Sequence, residues 1–332
     1  MIKILRKYFY YKNHITRLSN YKSDFPIQKK NINKDKFFFI IKRDRWRGMF
    51  SNLHYVILQI IYAKSKGYIP IIDMQYFPTI YNEKKLLLNS FNSWEYFFKN
   101  TCRIKLDRVY MEYNYKFSDE KTVITSIIKK SLYPEFKNIL SKISIKKNLT
   151  QKFNKFKKDN FKNKKILGVH FRGSDQKTAA LHPFPPTINQ MLKNSELLMN
   201  QYNFDHLFLV TEEEKYFNEF KKKFGSKLIT YNCYRSKTDI FKDYPRKNHR
   251  YLLGFETIIN MLLLSETNYL LHSNSNFSAM ARHYSKKKLK ETIIDNGINS
   301  KNIFLCNILW YVKYLLPYKL GGFNNLVKKN HS

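Results

Sequence analysis

The segment Ile166-Leu167-Gly168-Val169-His170-Phe171-Arg172-Gly173-Ser174-Asp175 decides the fold. Ile166 to Phe171 predicts a short buried strand, and the run turns polar where that strand should end. Doubly wound sheets bind their ligands at such carboxyl ends. Arg172 leaves the strand tip beside Gly173 and Ser174, a turn that allows close backbone approach. Its planar guanidinium can donate bidentately to phosphate oxygens, so a diphosphate suits the position. Asp175 can accept hydrogen bonds and fix the loop or a sugar hydroxyl. An Arg–Asp pair that only holds the turn is the other reading of the same residues.

Downstream, His206–Val210, Leu228–Tyr231, Tyr269–His272 and Thr292–Ile294 predict further strands, with helices over 187–200, 213–223, 250–265 and 276–286. Five strands with four intervening helices fit a doubly wound sheet. Upstream, Phe37–Ile41 is an apolar run of buried-strand type, followed by a basic loop containing Gly48. Leu53, Val56, Ile57, Ile60, Ile61 and Ala63 then recur at helical spacing from about Asn52 to Lys66. Gly67 ends that helix and Ile69–Asp73 predicts the next strand, a βαβ unit. A short helix over Trp94–Phe98, a strand over Val109–Tyr113 and a helical stretch within 120–145 follow. From Lys142 to Lys165 the chain reads as a domain boundary or as a long exposed amphipathic helix.

The fold class expected is therefore α/β, with two Rossmann-like domains facing across a cleft. Residues 1–35 form a basic lead-in arm, 36–150 the first domain and 151–300 the second. Residues 301–332 form an aromatic and basic tail. Its stretch over 303–323 suits either an interfacial helix on anionic lipid or a helix packed back on the fold.

The chain of 332 residues is 43% hydrophobic, enough for real cores, and carries a formal net charge of +36. Such a surface attracts polyanions, whether nucleic acid, lipid headgroups or phosphate-bearing substrates. The basic residues are spread along the chain, with no helix-turn-helix spacing, zinc-ligand set or RNP-type motif, so nucleic acid is not the partner expected. Cys102, Cys233 and Cys306 are odd in number and widely spaced; three buried thiols in a reducing compartment are expected. The N-terminus lacks the apolar core of a signal peptide, and no stretch reaches the ~18–20 apolar residues of a membrane span. The expectation is a cytoplasmic protein, soluble or peripheral on the inner membrane.

His170-Phe171-Arg172-Gly173-Ser174-Asp175 resembles the His-x-Arg-x-x-Asp motif of the O-fucosyltransferase and α1,6-fucosyltransferase superfamily. That superfamily includes the nodulation fucosyltransferase and bacterial capsule and lipopolysaccharide relatives, in which His182-Pro183-Phe184-Pro185-Pro186 is also familiar. Arg47-Gly48 through Asn52-Leu53 is similar to its Gly-rich N-terminal loop. Phe208-Leu209-Val210-Thr211-Glu212-Glu213 is similar to its strand, Thr and acidic pair. Gly254-Phe255-Glu256 through Leu264-Ser265, then Ser273-Asn274-Ser275-Asn276-Phe277-Ser278, resembles its final donor-binding motif. The resemblance spans roughly Phe37 to Tyr284.

It implies a GT-B fold and a fucosyltransferase that moves fucose from GDP-fucose to a bacterial surface glycan, lipid-linked or free, with no cofactor and no metal. The absence of any Asp-x-Asp from the sequence agrees with the latter. Arg172 would hold the diphosphate. His170, Gly173, Ser174, Thr211, Glu212, Glu256, Asn260, Ser275, Asn276 and Ser278 would contribute to the donor site, with Gly48 and Asn52 on the acceptor side. The pattern departs in two places. No carboxylate lies between Asp175 and Glu196, so the catalytic base falls to His182 or Asp175. Asn260 stands where the family has an Asp. A transferase of another nucleotide-sugar, or a non-catalytic relative that binds nucleotide or nucleic acid, are the alternatives.

Overall fold

The computed structural model describes residues 33–43, 47–119, 132–173, 176–237, 240–241, 244–323 and 328–330. The lead-in arm up to residue 32, Ser174, Asp175 and the first part of the helical stretch expected within 120–145 lie outside the described residues. The chain divides into two compact units, Met1–Lys147 with Asn248–Gly254, and Asn148–Lys247 with Phe255–Ser332.

The first unit is built on a three-stranded parallel sheet of order β2-β1-β3, with β1 over Asn33–Lys42, β2 over Ile69–Asp73 and β3 over Tyr113–Phe117. Phe38, Phe39, Ile40 and Ile41 are all buried, as expected of a central parallel strand covered on both faces. Pro70 is tolerated because β2 is an edge strand, where a missing N–H breaks no inner ladder. Helix α1, Met49–Ser65, connects β1 to β2 and buries nearly its whole length. Helix α2 spans Ser93–Phe97, close to its expected place.

Val109–Tyr113 is not a strand. It is the end of helix α3, Leu106–Glu112, and β3 begins only at Tyr113. Val and Tyr favour strands by propensity, but Val109, Tyr110 and Tyr113 lie at helical spacing and pack with Phe38 and Ile40, so burial overrides propensity. Helix α4 spans Tyr133–Lys142.

The Lys-rich stretch that follows is helical, forming α5 over Lys147–Phe161. Of its residues only Leu149 and Phe161 are buried, an amphipathic helix with a thin apolar seam. The second unit then lays down β4 (Ile166–His170), α6 (Ile188–Gln201), β5 (His206–Val210), α7 (Glu214–Phe224) and β6 (Leu228–Ile229). Helix α8 (His249–Leu264), whose residues from Phe255 on belong to this unit, β7 (Tyr269–His272), α9 (Asn276–Tyr284), β8 (Lys290–Ile293) and the short helix α10 (Leu309–Leu315) complete it, with β9 at Lys328–Asn330.

The sheet order is β6-β5-β4-β7-β8-β9, parallel except for the antiparallel β9. The five expected strands are present, and β9 adds a sixth at the edge. Order reverses between β4 and β7: the chain winds outward through β5 and β6, then returns past β4 to start β7. That is the switch point at which doubly wound sheets receive ligands. Of the three cysteines, all free, only Cys306 is buried; Cys102 and Cys233 are half-buried because they lie in loops rather than in the core. No described helix is long and apolar enough to cross a membrane.

Candidate functional site

His170, the last residue of β4, and His272, the last residue of β7, are register partners at the switch point. Both are buried, yet their surroundings differ. His272 Nε2 lies 2.8 Å from Glu291 Oε2, and its Nδ1 lies 2.9 Å from the carbonyl of Ser273. Arg282 Nη1 donates to the other Glu291 oxygen at 2.9 Å. Burial pushes the Glu291 carboxyl up, but the hydrogen bond and charges from His272 and Arg282 outweigh it and hold the carboxyl below its ordinary range. His170 instead stacks on Phe277 of α9 with centroids 4.3 Å apart, and its buried Nδ1 has no hydrogen-bond partner among the described residues. Burial, then the charges of His272 and Arg172, lower its pKa to about 3, so the ring is neutral in ordinary buffers.

The loop after β7 is pinned by its serines. Ser275 caps α9, its Oγ accepting from the Ser278 N–H at 3.1 Å and meeting Ser278 Oγ at 3.0 Å. Ser278 Oγ also reaches the Ser273 carbonyl at 3.3 Å. This fixes the start of α9, with Asn276 as its first residue, beside the end of β4.

The loop after β4 is confined from the α7 side. Phe171 stacks on Tyr216 at 3.9 Å and 5° between planes. A Cβ added to buried Gly173 would lie 2.7 Å from Tyr216 Oη and 3.0 Å from Glu213 Oε1. The loop is thus tightest at Gly173, and the atoms that crowd it are protein side chains. Arg172 is half-buried on the same loop, and its charge reaches His170. Thr211, buried at the end of β5, accepts from the Glu213 N–H at 3.3 Å, and Glu213 caps α7. Negative charge at this helix start complements its dipole.

A second group gathers around α8. Glu256 receives both Arg246 nitrogens at 2.6 and 2.8 Å and the Tyr234 N–H at 3.1 Å. One turn on, Asn260 hydrogen-bonds the Cys233 thiol, whose pKa burial raises and whose surroundings also include the charges of Arg235, Glu256 and Glu212. The Glu212 carbonyl accepts from Ser236 N at 3.0 Å. Arg246 pairs with Glu256, while Arg250 donates to the Ile80 carbonyl at 2.8 Å in the first unit.

His182 is exposed, and its carbonyl accepts from Asn299 N at 2.9 Å. Gly48 and Asn52 belong to the other unit. Gly48 is the cap of α1, and Asn52 lies within the helix, its N–H bonded to the Gly48 carbonyl at 3.1 Å. Sequence reasoning passed over His272, Glu291, Arg282 and Tyr216. The alternation around His272 marks it as a strand end, but nothing local pairs it with a carboxylate in the next strand.

No family model matches the chain, and no curated protein does. Among solved structures it is similar to NodZ alpha-1,6-fucosyltransferase co-crystallized with GDP, with TM-score 0.53 and 16% identity over 78% of this chain and 95% of that one. It is similar also to fucosyltransferase NodZ from Bradyrhizobium, with TM-score 0.53 and 15% identity over 80% of this chain and 100% of that one. For NodZ alpha-1,6-fucosyltransferase soaked with GDP-fucose the values are 0.51 and 13%, over 78% and 95%. The chain has the fold of the NodZ fucosyltransferases. It is thus a GT-B-like α/β protein. At these identities the likeness is one of fold, and what each residue does rests on the geometry above.

Proposed function

We propose that the protein is a glycosyltransferase that moves fucose from GDP-fucose to a bacterial surface glycan of capsule or lipopolysaccharide type, on the cytoplasmic side and without a metal. The observation that carries this is Arg172 on the loop at the β4–β7 switch point, beside a serine-capped helix start. A guanidinium and a helix N-terminus together form a fixed positive environment for a diphosphate. In the transfer, the bond from the sugar anomeric carbon to the diphosphate oxygen breaks, and the acceptor hydroxyl oxygen bonds to that carbon. GDP leaves with the electron pair, and the hydroxyl proton passes to a base. Arg172 stabilises the charge that develops on the leaving phosphate.

His182 is one base compatible with this reading, since it is exposed and so open to an acceptor; Asp175 is the other. Buried His170 is a positioning residue, because a neutral ring stacked on Phe277 holds the strand end and takes up no proton near neutral pH. GDP and GDP-fucose bound in the NodZ structures support the choice of donor by analogy of fold.

The test is thermal stability against GDP, GDP-fucose, UDP and CMP with EDTA present, on the wild type and Arg172→Ala. A ligand at ~100 times its dissociation constant stabilises by about 2.7 kcal/mol. Stabilisation by GDP and GDP-fucose that Arg172→Ala removes is expected. Stabilisation by UDP or CMP in their place would overturn the donor assignment.

A further inference from the structure

The surface built by residues 298–320 of the second unit is unlike the rest of the described chain. Ile298, Phe304, Tyr311, Leu315, Tyr318 and Leu320 are each 50% to 80% exposed within this one segment. They are not loose. Behind them Trp310 is buried, donates from Nε1 to the Pro185 carbonyl at 3.0 Å, and stacks on Tyr314 at 5.2 Å. Buried Cys306 and the Asn299 side chain tie down the start of the segment, Nδ2 donating to the Cys306 carbonyl at 2.9 Å. The segment thus presents a firmly seated layer whose outer side is apolar and aromatic, a concentration that marks an interaction surface.

Its charge points to the occupant. From Asn296 to Ser332 the sequence contains no Asp or Glu, while Lys301, Lys313, Lys319, Lys328 and Lys329 are all basic. A second copy would bring another chain of net charge +36 against this face, which like-charge repulsion opposes. An anionic bilayer answers both features, because apolar side chains enter the headgroup boundary while lysines meet lipid phosphates. Tyrosines suit that boundary, having an apolar ring and a polar tip. Since no described helix could cross the membrane, the contact would lie in its plane.

We propose that residues 298–320 form a docking face for an anionic lipid bilayer, seated by its exposed aromatic and aliphatic side chains and steered by its lysines. The face lies directly behind the loop after β4. Lys177 Nζ is 4.6 Å from the Trp310 ring and 5.6 Å from the ring of Tyr216, the residue that confines Gly173. Docking of this face is independent of which nucleotide-sugar the protein uses.

Co-sedimentation of the full chain with phosphatidylcholine vesicles, and with vesicles in which a quarter of the lipid is phosphatidylglycerol, tests it. Binding to the anionic vesicles that weakens with salt is expected, with little binding to phosphatidylcholine alone. The double variant Phe304→Ser/Leu315→Ser should lower the partition coefficient by about tenfold or more, since both side chains are exposed and their loss removes buried apolar area. Lys301→Glu/Lys319→Glu should lower it several-fold at low salt, and circular dichroism should show all variants folded. Equal binding of wild type and Phe304→Ser/Leu315→Ser would overturn the proposal. So would wild type that stays in solution with both vesicles, or a dimer in sedimentation velocity that the same serine variant dissociates.

Discussion

His170 and His272 end neighbouring parallel strands as register partners, yet one ring is neutral and stacked on Phe277 while the other is hydrogen-bonded to Glu291. The pair ends the β4–β7 ladder at its carboxyl edge. Among the described residues His170 Nδ1 has no hydrogen-bond partner, while the Glu291–Arg282 pair fixes the orientation of His272. Glu291→Gln should therefore loosen the end of β7. It removes a charge that both Arg282 and His272 face, and a destabilisation of about 1–3 kcal/mol in urea unfolding is expected.

Arg172→Lys keeps the charge and loses the planar fork. If the guanidinium grips a diphosphate, Lys should recover only part of the turnover lost in Arg172→Ala. The alanine variant should fall by about two to three orders of magnitude in kcat, as for removal of a single group aimed at developing charge. Steady-state assay of GDP release separates the three proteins.

Gly173→Ala places a Cβ against Tyr216 Oη and Glu213 Oε1. Because Tyr216 is itself stacked on Phe171, it cannot simply swing aside. A cost of about 1–3 kcal/mol is expected, as for overpacking in a core. Truncation by Tyr216→Phe, which removes the clashing oxygen, should restore part of it in the double variant.

Acid should weaken the fold, and the sign follows from three buried groups. Burial and the Arg43 charge lower the pKa of His54 to about 4, and burial with neighbouring charges lowers that of His170 to about 3. Their stabilising contribution is present above the ordinary histidine pKa and is lost as pH falls through that range towards the folded values. Asp73 runs the other way: burial raises it to about 6 despite hydrogen bonds from Tyr110, Tyr76 and Gln75, so its contribution is present at low pH and lost as pH rises towards 6. Around pH 5 the unfolded chain binds two protons that the histidines refuse, and the fold binds one at Asp73. The net slope from these groups is about 1.4 kcal/mol per pH unit, with stability rising as pH rises. Asp73→Asn should roughly double that slope in urea titrations, and a flat profile would contradict the assignment.

Arg246→Ala leaves Glu256 without its bidentate partner, with the Tyr234 N–H still donating to its carboxylate. The pair is partly exposed, so a loss of about 1–3 kcal/mol is expected, below the cost of a fully buried break. A double-mutant cycle with Glu256→Gln should show positive coupling between the two positions.

Much of the architecture was legible in the chain because parallel strands buried on both faces write continuous apolar runs. Ile69–Asp73, His206–Val210 and Tyr269–His272 begin and end where the pattern predicts. Val109–Tyr113 failed because two strand-favouring residues sit on the buried stripe of a helix, and a short window cannot tell the two apart. Of the candidate site, the place of Arg172 and Gly173 just past a strand end was legible from residue type and order. The partners of Glu256 were not, since Arg246 lies in an irregular loop whose path no local pattern predicts.

The sequence by itself determined the alternation of strands and helices, the strand that carries Arg172, and the glycine that follows, because periodicity and backbone sterics are local. Only the tertiary structure decided which residues share a crevice. His170 meets Phe277 and His272 meets Glu291 across 107 and 19 positions of chain respectively. Such contacts are set by the order in which strands enter the sheet, and that order is fixed by the packing of the whole unit rather than by any segment within it.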